Sequence, residues 1–245
     1  SPARLKAFTL SVDGDGDDAR QARDFLRRTD LEMLGETIDV PSSALDPLRA
    51  VSVIEDYKPL DVECAAVNLQ LLTEIRARYP EWRLLVDGDG GDENLKDYPI
   101  EENSELTIRS VVNKRMLYQE GWGVESIKHS LTYSGGLSRG CVRGYAVARE
   151  LGFVEFSPYT RPSVIAVAEA IPFAELTQGS HERLYALKGE IVARGMKSVL
   201  GLEMPIFPKR RFQEGSVSAD RVARLFPRDE GRYRSHFLTL HAAAV

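Results

Sequence analysis

The strongest constraint on the fold is the alternation of short β-forming runs with helical segments in the first half of the chain. Residues 5–12 (LKAFTLSV) are rich in β-forming side chains and lead into an acidic turn, and residues 31–40 look extended again. A third short run, residues 82–86 (WRLLV), is apolar apart from its arginine. Apolar residues at helical spacing fill the intervening segments, at residues 19–28, 44–57 and 62–79. The alternation predicts an α/β fold with an open parallel sheet, in which residues 5–12 and 82–86 are neighbouring buried strands.

The second half of the chain predicts helices joined by loops. Helical spacing recurs at residues 101–119, 163–171, 180–194 and 220–225. No convincing run of strands accompanies these segments. We therefore predict an α/β part at residues 1–98 and a C-terminal helical lobe at residues 99–245.

The composition argues against several classes of protein. A net charge of −5 over 245 residues gives no general attraction to nucleic acid or to a membrane surface. No run approaches the roughly 18 apolar residues of a membrane helix, and the first residues lack a signal-peptide pattern, so we expect a cytoplasmic protein. Cys64 and Cys141 are too few for a disulfide scaffold, and the histidines are scattered without metal-ligand spacing.

An acidic, glycine-rich loop, residues 86–93 (VDGDGGDE), follows the third β-forming run. Ligands of open parallel sheets bind beyond the carboxyl ends of strands, and glycines let the backbone approach them closely. Crowded carboxylates repel one another unless a cation intervenes, so Mg²⁺ carried by a polyphosphate is one partner that fits. A solvated acidic turn is the competing interpretation. A helix-loop-helix calcium loop fails, because the twelfth position counted from Asp87 is Tyr98 rather than a glutamate.

The acidic loop and several other segments resemble the synthetase domain of the asparagine synthetase family, whose relatives include the β-lactam synthetases and lasso-peptide cyclases. The loop is similar to the family's S-G-[ED]-G-x-D-E segment, with Asp87 at the position of the serine. Residues 5–12 resemble the second strand of the family, and residues 53–62 resemble the helix pair that precedes the loop. Further similarities follow in the family's order: Gly152 with Pro158 and Tyr159 in G-[LV]-E-x-R-x-P-F-[LI]-D, then Lys209, Phe212, Gly215 and Val217 in K-x-x-F-x-x-G-x-V, then residues 226–237.

The resemblance implies an ATP-pyrophosphatase (Rossmann-like) sheet and an AMP-forming carbon–nitrogen ligase. Such an enzyme uses Mg²⁺-ATP to convert a carboxylate into its acyl-adenylate, from which ammonia or an amine displaces AMP. Residues 1–98 would then be the nucleotide-binding part, and residues 99–245 the helical part of the same domain. Site roles would fall to Leu10 (adenine, through its backbone), Gly88 (ATP), Asp89 (acting on or near the acceptor), Asp92 (substrate or metal-bound phosphates) and Lys209 (charge on the departing pyrophosphate).

Two departures from the family pattern bear on substrate and nucleotide binding. Val154, Phe156 and Arg161 replace the Glu, Arg and Asp of the G-[LV]-E-x-R-x-P-F-[LI]-D run, so the acceptor need not be aspartate. The family's S-G-G-x-D-S pyrophosphate loop would lie upstream of Ser1, and we expect weak ATP binding without it. Residues 134–139 (SGGLSR) mimic that loop but follow the acidic loop, so we interpret them as an interhelical turn, with an anion-binding loop as the alternative.

Three functions stay open at this stage. The first is an amide-bond synthetase with a carboxylate substrate, an ammonia or amine donor and an additional glutaminase domain or subunit. The second is an intramolecular cyclase that closes a lactam ring by the same chemistry. The third is a nucleotide-binding relative without turnover.

Overall fold

A computed structural model describes residues 5–14, 16–97, 100, 107–113, 139–206, 215–217, 224–226 and 229–242. The described residues form two compact units. The first unit draws on Ser1–Trp82, Ala146–Gly152 and Phe207–Val245, and the second draws on Arg83–Tyr145 and Phe153–Ile206. The division at residue 98 stays a prediction.

The first unit contains a parallel pair of strands joined by a helix. Strands β1 (Ala7–Val12) and β2 (Gly35–Val40) pair in register from Ala7 opposite Gly35 to Val12 opposite Val40, and α1 (Asp17–Arg28) connects them. A short 3-10 turn at Glu32–Leu34 precedes β2. A Cβ atom at Gly35 would lie 2.5 Å from Cδ1 of Leu26, so any larger residue there would require the Leu26 side chain to shift. The strand, helix, strand order predicted for residues 5–40 is therefore confirmed.

Three further helices lie in the first unit: α2 (Pro47–Ile54), α3 (Pro59–Arg78) and the C-terminal helix Glu230–Ala242. The side chain of Asp46 caps the first turn of α2 by accepting hydrogen bonds from two backbone N–H groups. Helix α3 is buried on most sides, and Val62, Ala65 and Val67 are fully enclosed. The ring of Phe237 in the C-terminal helix packs edge-on against Tyr57, with centroids 5.2 Å apart.

The second unit contains the other parallel pair, β3 (Leu84–Val86) and β4 (Val154–Phe156). Its helices are α4 (Gly91–Leu95), α5 (Ile108–Asn113), α7 (Pro162–Glu169), α8 (Phe173–Thr177) and α9 (His181–Leu200), while α6 (Arg139–Glu150) crosses the unit boundary. A small apolar core forms around Val111, Phe173 and Leu184. None of the helices in the described part of the chain is both long and apolar enough to cross a membrane.

The strand predictions were wrong in three respects. Residues 5–12 and 82–86 are not neighbours, because β1 pairs with β2 and β3 pairs with β4. Strand β3 is not buried, since the side chains of Leu84 and Val86 are 75% and 60% exposed. The second half also supplies a strand, β4, which was predicted to be absent. Pairing depends on residues far apart in sequence, which local patterns do not specify. The coarse α/β class with parallel strands is confirmed.

Candidate metal site at the acidic loop

The acidic loop leaves the carboxyl end of β3, as the sequence predicts. The backbone N–H of Asp87 continues the ladder by donating to the carbonyl of Phe156, at 3.3 Å. The chain then turns through Gly90, whose φ of +87° lies in the left-handed region that favours glycine, and enters α4. The turn is also tight at Gly90, because a Cβ atom there would lie 3.0 Å from the methyl carbon of Thr160. A glycine is therefore needed for both conformation and space.

Three carboxylates meet where β3 and β4 end. Asp87, Asp89 and Glu155 each offer an oxygen, and these oxygens all lie within 4.8 Å of one another. Glu155 is the central residue of β4 and is paired in register with Leu85 of β3. The side chains of Glu155 and Leu85 therefore lie on the same face of the strand pair. The flanking Val154 and Phe156 point to the other, exposed face. We call Asp87, Asp89 and Glu155 the carboxylate triad.

Asp87 is fixed in place by hydrogen bonds to only one of its carboxylate oxygens. Its Oδ1 accepts from the backbone N–H of Asp89 at 2.9 Å and from the hydroxyl of Ser157. Its Oδ2 is buried and accepts no hydrogen bond from the N–H and O–H groups of the described residues. A buried oxygen without a donor is unfavourable unless a proton or a cation approaches it. The triad therefore suits a positively charged ligand.

The electrostatics of the triad agree with this conclusion. The pKa of Glu155 is raised to about 9 by burial, by the hydrogen bond that its carboxyl group donates to Asp87 once it is protonated, and by the charges of Asp87 and Asp89. Burial and the charges of Asp87, Glu93 and Asp92 raise the pKa of Asp89 to about 7, although Arg143 acts in the opposite direction. At neutral pH the triad thus shares protons when no cation is bound. A divalent cation with oxygen ligands, such as Mg²⁺, Mn²⁺ or Ca²⁺, would replace those protons.

Helix α6 closes one side of the triad. A Cβ atom added at Gly144 would lie 2.6 Å from Oε1 of Glu155 and 2.9 Å from Oδ2 of Asp89, so the helix backbone packs directly on these oxygens. Any larger residue at this position would push the carboxylates out of place. The adjacent Arg143 contributes the positive charge that opposes the rise of the Asp89 pKa.

Asp92, the predicted metal ligand, lies outside the triad and pairs with a lysine instead. The ammonium of Lys188, on α9, lies 3.3 Å from Oδ1 of Asp92 and 2.5 Å from Oδ2 of Asp97. Burial lowers the pKa of Lys188, but the charges of Asp92 and Asp97 and their hydrogen bonds outweigh it and raise that pKa overall. The lysine is therefore charged at neutral pH. A contact between Asp92 and a metal ion remains a prediction.

The other predicted site residues are distributed unevenly. Gly88 and Asp89 lie in the second unit, and the space above Gly88 is open, so a ligand could approach its backbone. Leu10 lies in β1 of the first unit with a fully buried side chain, and its predicted adenine contact is untested. Lys209 lies outside the described residues, as do residues 134–138 of the SGGLSR segment.

The described end of the segment that resembles K-x-x-F-x-x-G-x-V, residues 215–217, packs against the start of α1 in the first unit. Gly215 lies so close to Asp18 that a Cβ atom would overlap the Asp18 carboxylate at 2.0 Å. Burial raises the pKa of that carboxyl group. Ser216 and Val217 are fully buried beside it. The nearby Asp18 carboxylate therefore gives a steric reason for a glycine at this position of the K-x-x-F-x-x-G-x-V pattern in this chain.

Sequence reasoning missed Glu155 and Lys188. The resemblance places the family's glutamate at position 154, which is Val154 here, whereas a glutamate stands one position later. Because side chains alternate along a strand, that shift moves the carboxylate to the opposite face of β4. The exposed face carries Phe156 instead, with the guanidinium of Arg161 5.5 Å from its ring centre. A carboxylate within an otherwise apolar three-residue run was the available signal for Glu155.

Comparison with known sequences assigns neither a family nor a function to this site. No protein-family model matches the chain, and no curated protein matches it at a significant level.

Proposed function

We propose that the chain is the ATP-using part of an AMP-forming amide-bond synthetase similar to asparagine synthetases. It would adenylate a carboxylate with release of pyrophosphate, and ammonia or an amine would then displace AMP to form the amide. The observation that carries this proposal is the carboxylate triad, in which two residues of a loop that resembles the family's nucleotide loop meet Glu155 of β4 at the carboxyl end of a parallel strand pair. The expected cytoplasmic location is part of the same proposal.

The proposed roles follow the chemistry of the residues. The triad would hold the Mg²⁺ that accompanies ATP, since hard cations prefer carboxylate oxygens. The open space above Gly88 leaves room for the nucleotide to approach the loop backbone. Lys209 would stabilise the charge that develops as pyrophosphate leaves. The described residues hold two separate pairs of parallel strands, and the ATP-pyrophosphatase type of sheet is part of the proposal.

Transfer of isotopic oxygen tests the reaction directly. A carboxylate labelled with ¹⁸O gives up one labelled oxygen to AMP when an acyl-adenylate forms, whereas a route through an acyl phosphate places the label in phosphate. We expect AMP that carries ¹⁸O, formed only when a carboxylate substrate is present. Formation of ADP, or hydrolysis of ATP independent of any carboxylate, would refute the proposal. A Lys209→Ala variant should slow pyrophosphate release by about a hundredfold or more.

The two alternatives predict different products in the same assay. An intramolecular cyclase would form labelled AMP without any added amine, and its product would be lighter than the substrate by one water. A relative without turnover would bind ATP but form no AMP with any carboxylate. The departures at Val154, Phe156 and Arg161 are the reason for including non-aspartate carboxylates in the substrate panel.

A further inference from the structure

The short helix that follows the acidic loop depends on contacts from elsewhere in the second unit. Helix α4 spans only Gly91–Leu95, and a helix of this length is not stable alone. One contact comes from the side chain of Asn94, which donates to the carbonyl of Tyr159 at 2.6 Å. Another comes from Lys188 on α9. Since α4 directly follows the residues of the triad, whatever holds α4 also limits the movement of the loop.

Lys188 contacts both ends of this helix. Asp92 lies in its first turn, and Asp97 lies just past its last residue, where the Asp97 N–H donates to the Asp92 carbonyl at 2.9 Å. The two carboxylates differ in environment, because the Asp97 side chain is 4% exposed and that of Asp92 is 44% exposed. Asp97 therefore anchors the ammonium, and the ammonium in turn holds Asp92.

The bridge also affects the charge around the triad. Asp92 is one of the carboxylates whose charge acts on Asp89. Pairing with an ammonium offsets the charge of Asp92 and directs its carboxylate toward α9. Without Lys188, the loop would lose the positive charge beside Asp92 and its link to α9, the longest described helix of the second unit.

We propose that Lys188 is a positioning residue that holds the acidic loop in the geometry in which the carboxylate triad binds a divalent cation. The effect on cation binding rests on the proposed function, whereas the effect on loop order does not. Contacts that orient metal ligands from outside the ligand set typically change metal affinity by 10–100-fold.

The experiment separates positioning from stability with a double variant. Lys188→Met alone leaves the buried Asp97 without its ammonium and is expected to destabilise the protein. Lys188→Met combined with Asp97→Asn removes both charges and should restore most of the stability. Lys188→Arg should preserve both links. Lys197→Met is the matched control, because Lys197 lies on the same helix but pairs with the exposed Glu203.

Two readouts are needed for each variant. Amide hydrogen exchange of the peptide containing residues 87–97 reports loop order, and calorimetric titration with Mn²⁺ reports cation affinity. For the double variant we expect exchange about tenfold faster in this peptide only, and Mn²⁺ affinity lowered by about 10–100-fold. Lys197→Met should change neither quantity.

Normal exchange of residues 87–97 and normal Mn²⁺ affinity in the double variant would overturn the role of Lys188. If the double variant does not fold, Asp92→Asn gives the same test, because that exposed carboxylate can be removed without leaving a buried charge. Faster loop exchange with no Mn²⁺ binding even to the unaltered protein would support the role of Lys188 in loop order and refute the cation site. The role of Lys188 in loop order and the cation site can therefore be refuted independently of each other.

Discussion

Asp89→Asn is expected to stabilise the protein in the absence of divalent cations, although it removes a predicted catalytic residue. In the folded protein the pKa of Asp89 is raised to about 7, whereas an unfolded aspartate ionises near its ordinary value of 3.8. The folded state therefore binds an extra proton between these pH values. The stability that this proton provides is fully present below about pH 4 and is lost as the pH rises to about 7.

The shift of about three pKa units corresponds to about 4 kcal/mol of lost stability above pH 7. An asparagine avoids ionisation, but its amide must form new hydrogen bonds within the triad, and imperfect geometry there costs about 1–2 kcal/mol. We therefore expect Asp89→Asn to raise the free energy of unfolding by about 2 kcal/mol at pH 8 and to give no gain at pH 4. Urea denaturation at the two pH values, with EDTA present, measures both effects.

Adding Mn²⁺ should reverse the order of stability. The unaltered protein gains about 2.7 kcal/mol when free Mn²⁺ reaches a hundred times its dissociation constant, while Asp89→Asn gains far less. Glu190→Gln serves as the control, because this exposed side chain makes only a weak surface ion pair and its replacement should change stability by less than about 0.5 kcal/mol. The reasoning is refuted if Asp89→Asn lowers stability at pH 8 without cations, or if its effect is equal at pH 4 and pH 8.

Two further pairs of substitutions, each with a matched control, test the packing at the triad and the contribution of a buried hydroxyl group to stability. Gly144→Ala should lower the free energy of unfolding by about 1–3 kcal/mol and weaken Mn²⁺ binding, because its Cβ would lie 2.6 Å from Oε1 of Glu155. Gly195→Ala lies in a helix with open space around the added methyl, and it should raise the free energy of unfolding by about 0.5–1 kcal/mol. Tyr233→Phe should be neutral or stabilising, because the buried hydroxyl has no hydrogen-bond partner among the described residues. Tyr185→Phe should be destabilising by about 1 kcal/mol, because its hydroxyl accepts a 2.8 Å bond from a backbone N–H. Urea denaturation decides each comparison, and a clear loss of stability in Gly195→Ala or Tyr233→Phe would contradict it.

Local signals predicted several of the helices and the place of the acidic loop. Helical spacing located α1, α3, α7 and α9. The observed first and last residues of these helices differ from the predicted ones, because caps and prolines determine where a helix begins. The acidic, glycine-rich run after Val86 predicted a loop beyond the carboxyl end of a strand, and Gly90 of that loop has a positive φ, which glycine adopts readily. These features depend on neighbouring residues, which a sequence displays directly.

The partners of the loop could not be predicted in the same way. Glu155 joins the triad through a three-residue strand, which is too short for a periodic pattern. Lys188 lies within a long amphipathic helix, where a lysine is ordinary, and its two partners lie more than 90 residues away. The choice of β4 as the partner of β3 likewise depends on tertiary packing.

The pairing of β3 with β4 also sets the order in which the triad is assembled as the chain folds. Asp87 bonds to a residue 70 positions away, whereas the Lys6–Glu36 bond beside the first strand pair spans 30 positions. Closing the longer loop costs about 0.7 kcal/mol more in chain entropy, and contacts of high sequence separation form slowly. During synthesis, Asp87 and Asp89 leave the ribosome well before Glu155 does. We therefore expect capture of a cation at the proposed site to be a late event, because a nascent chain that pauses before residue 155 has only part of the triad.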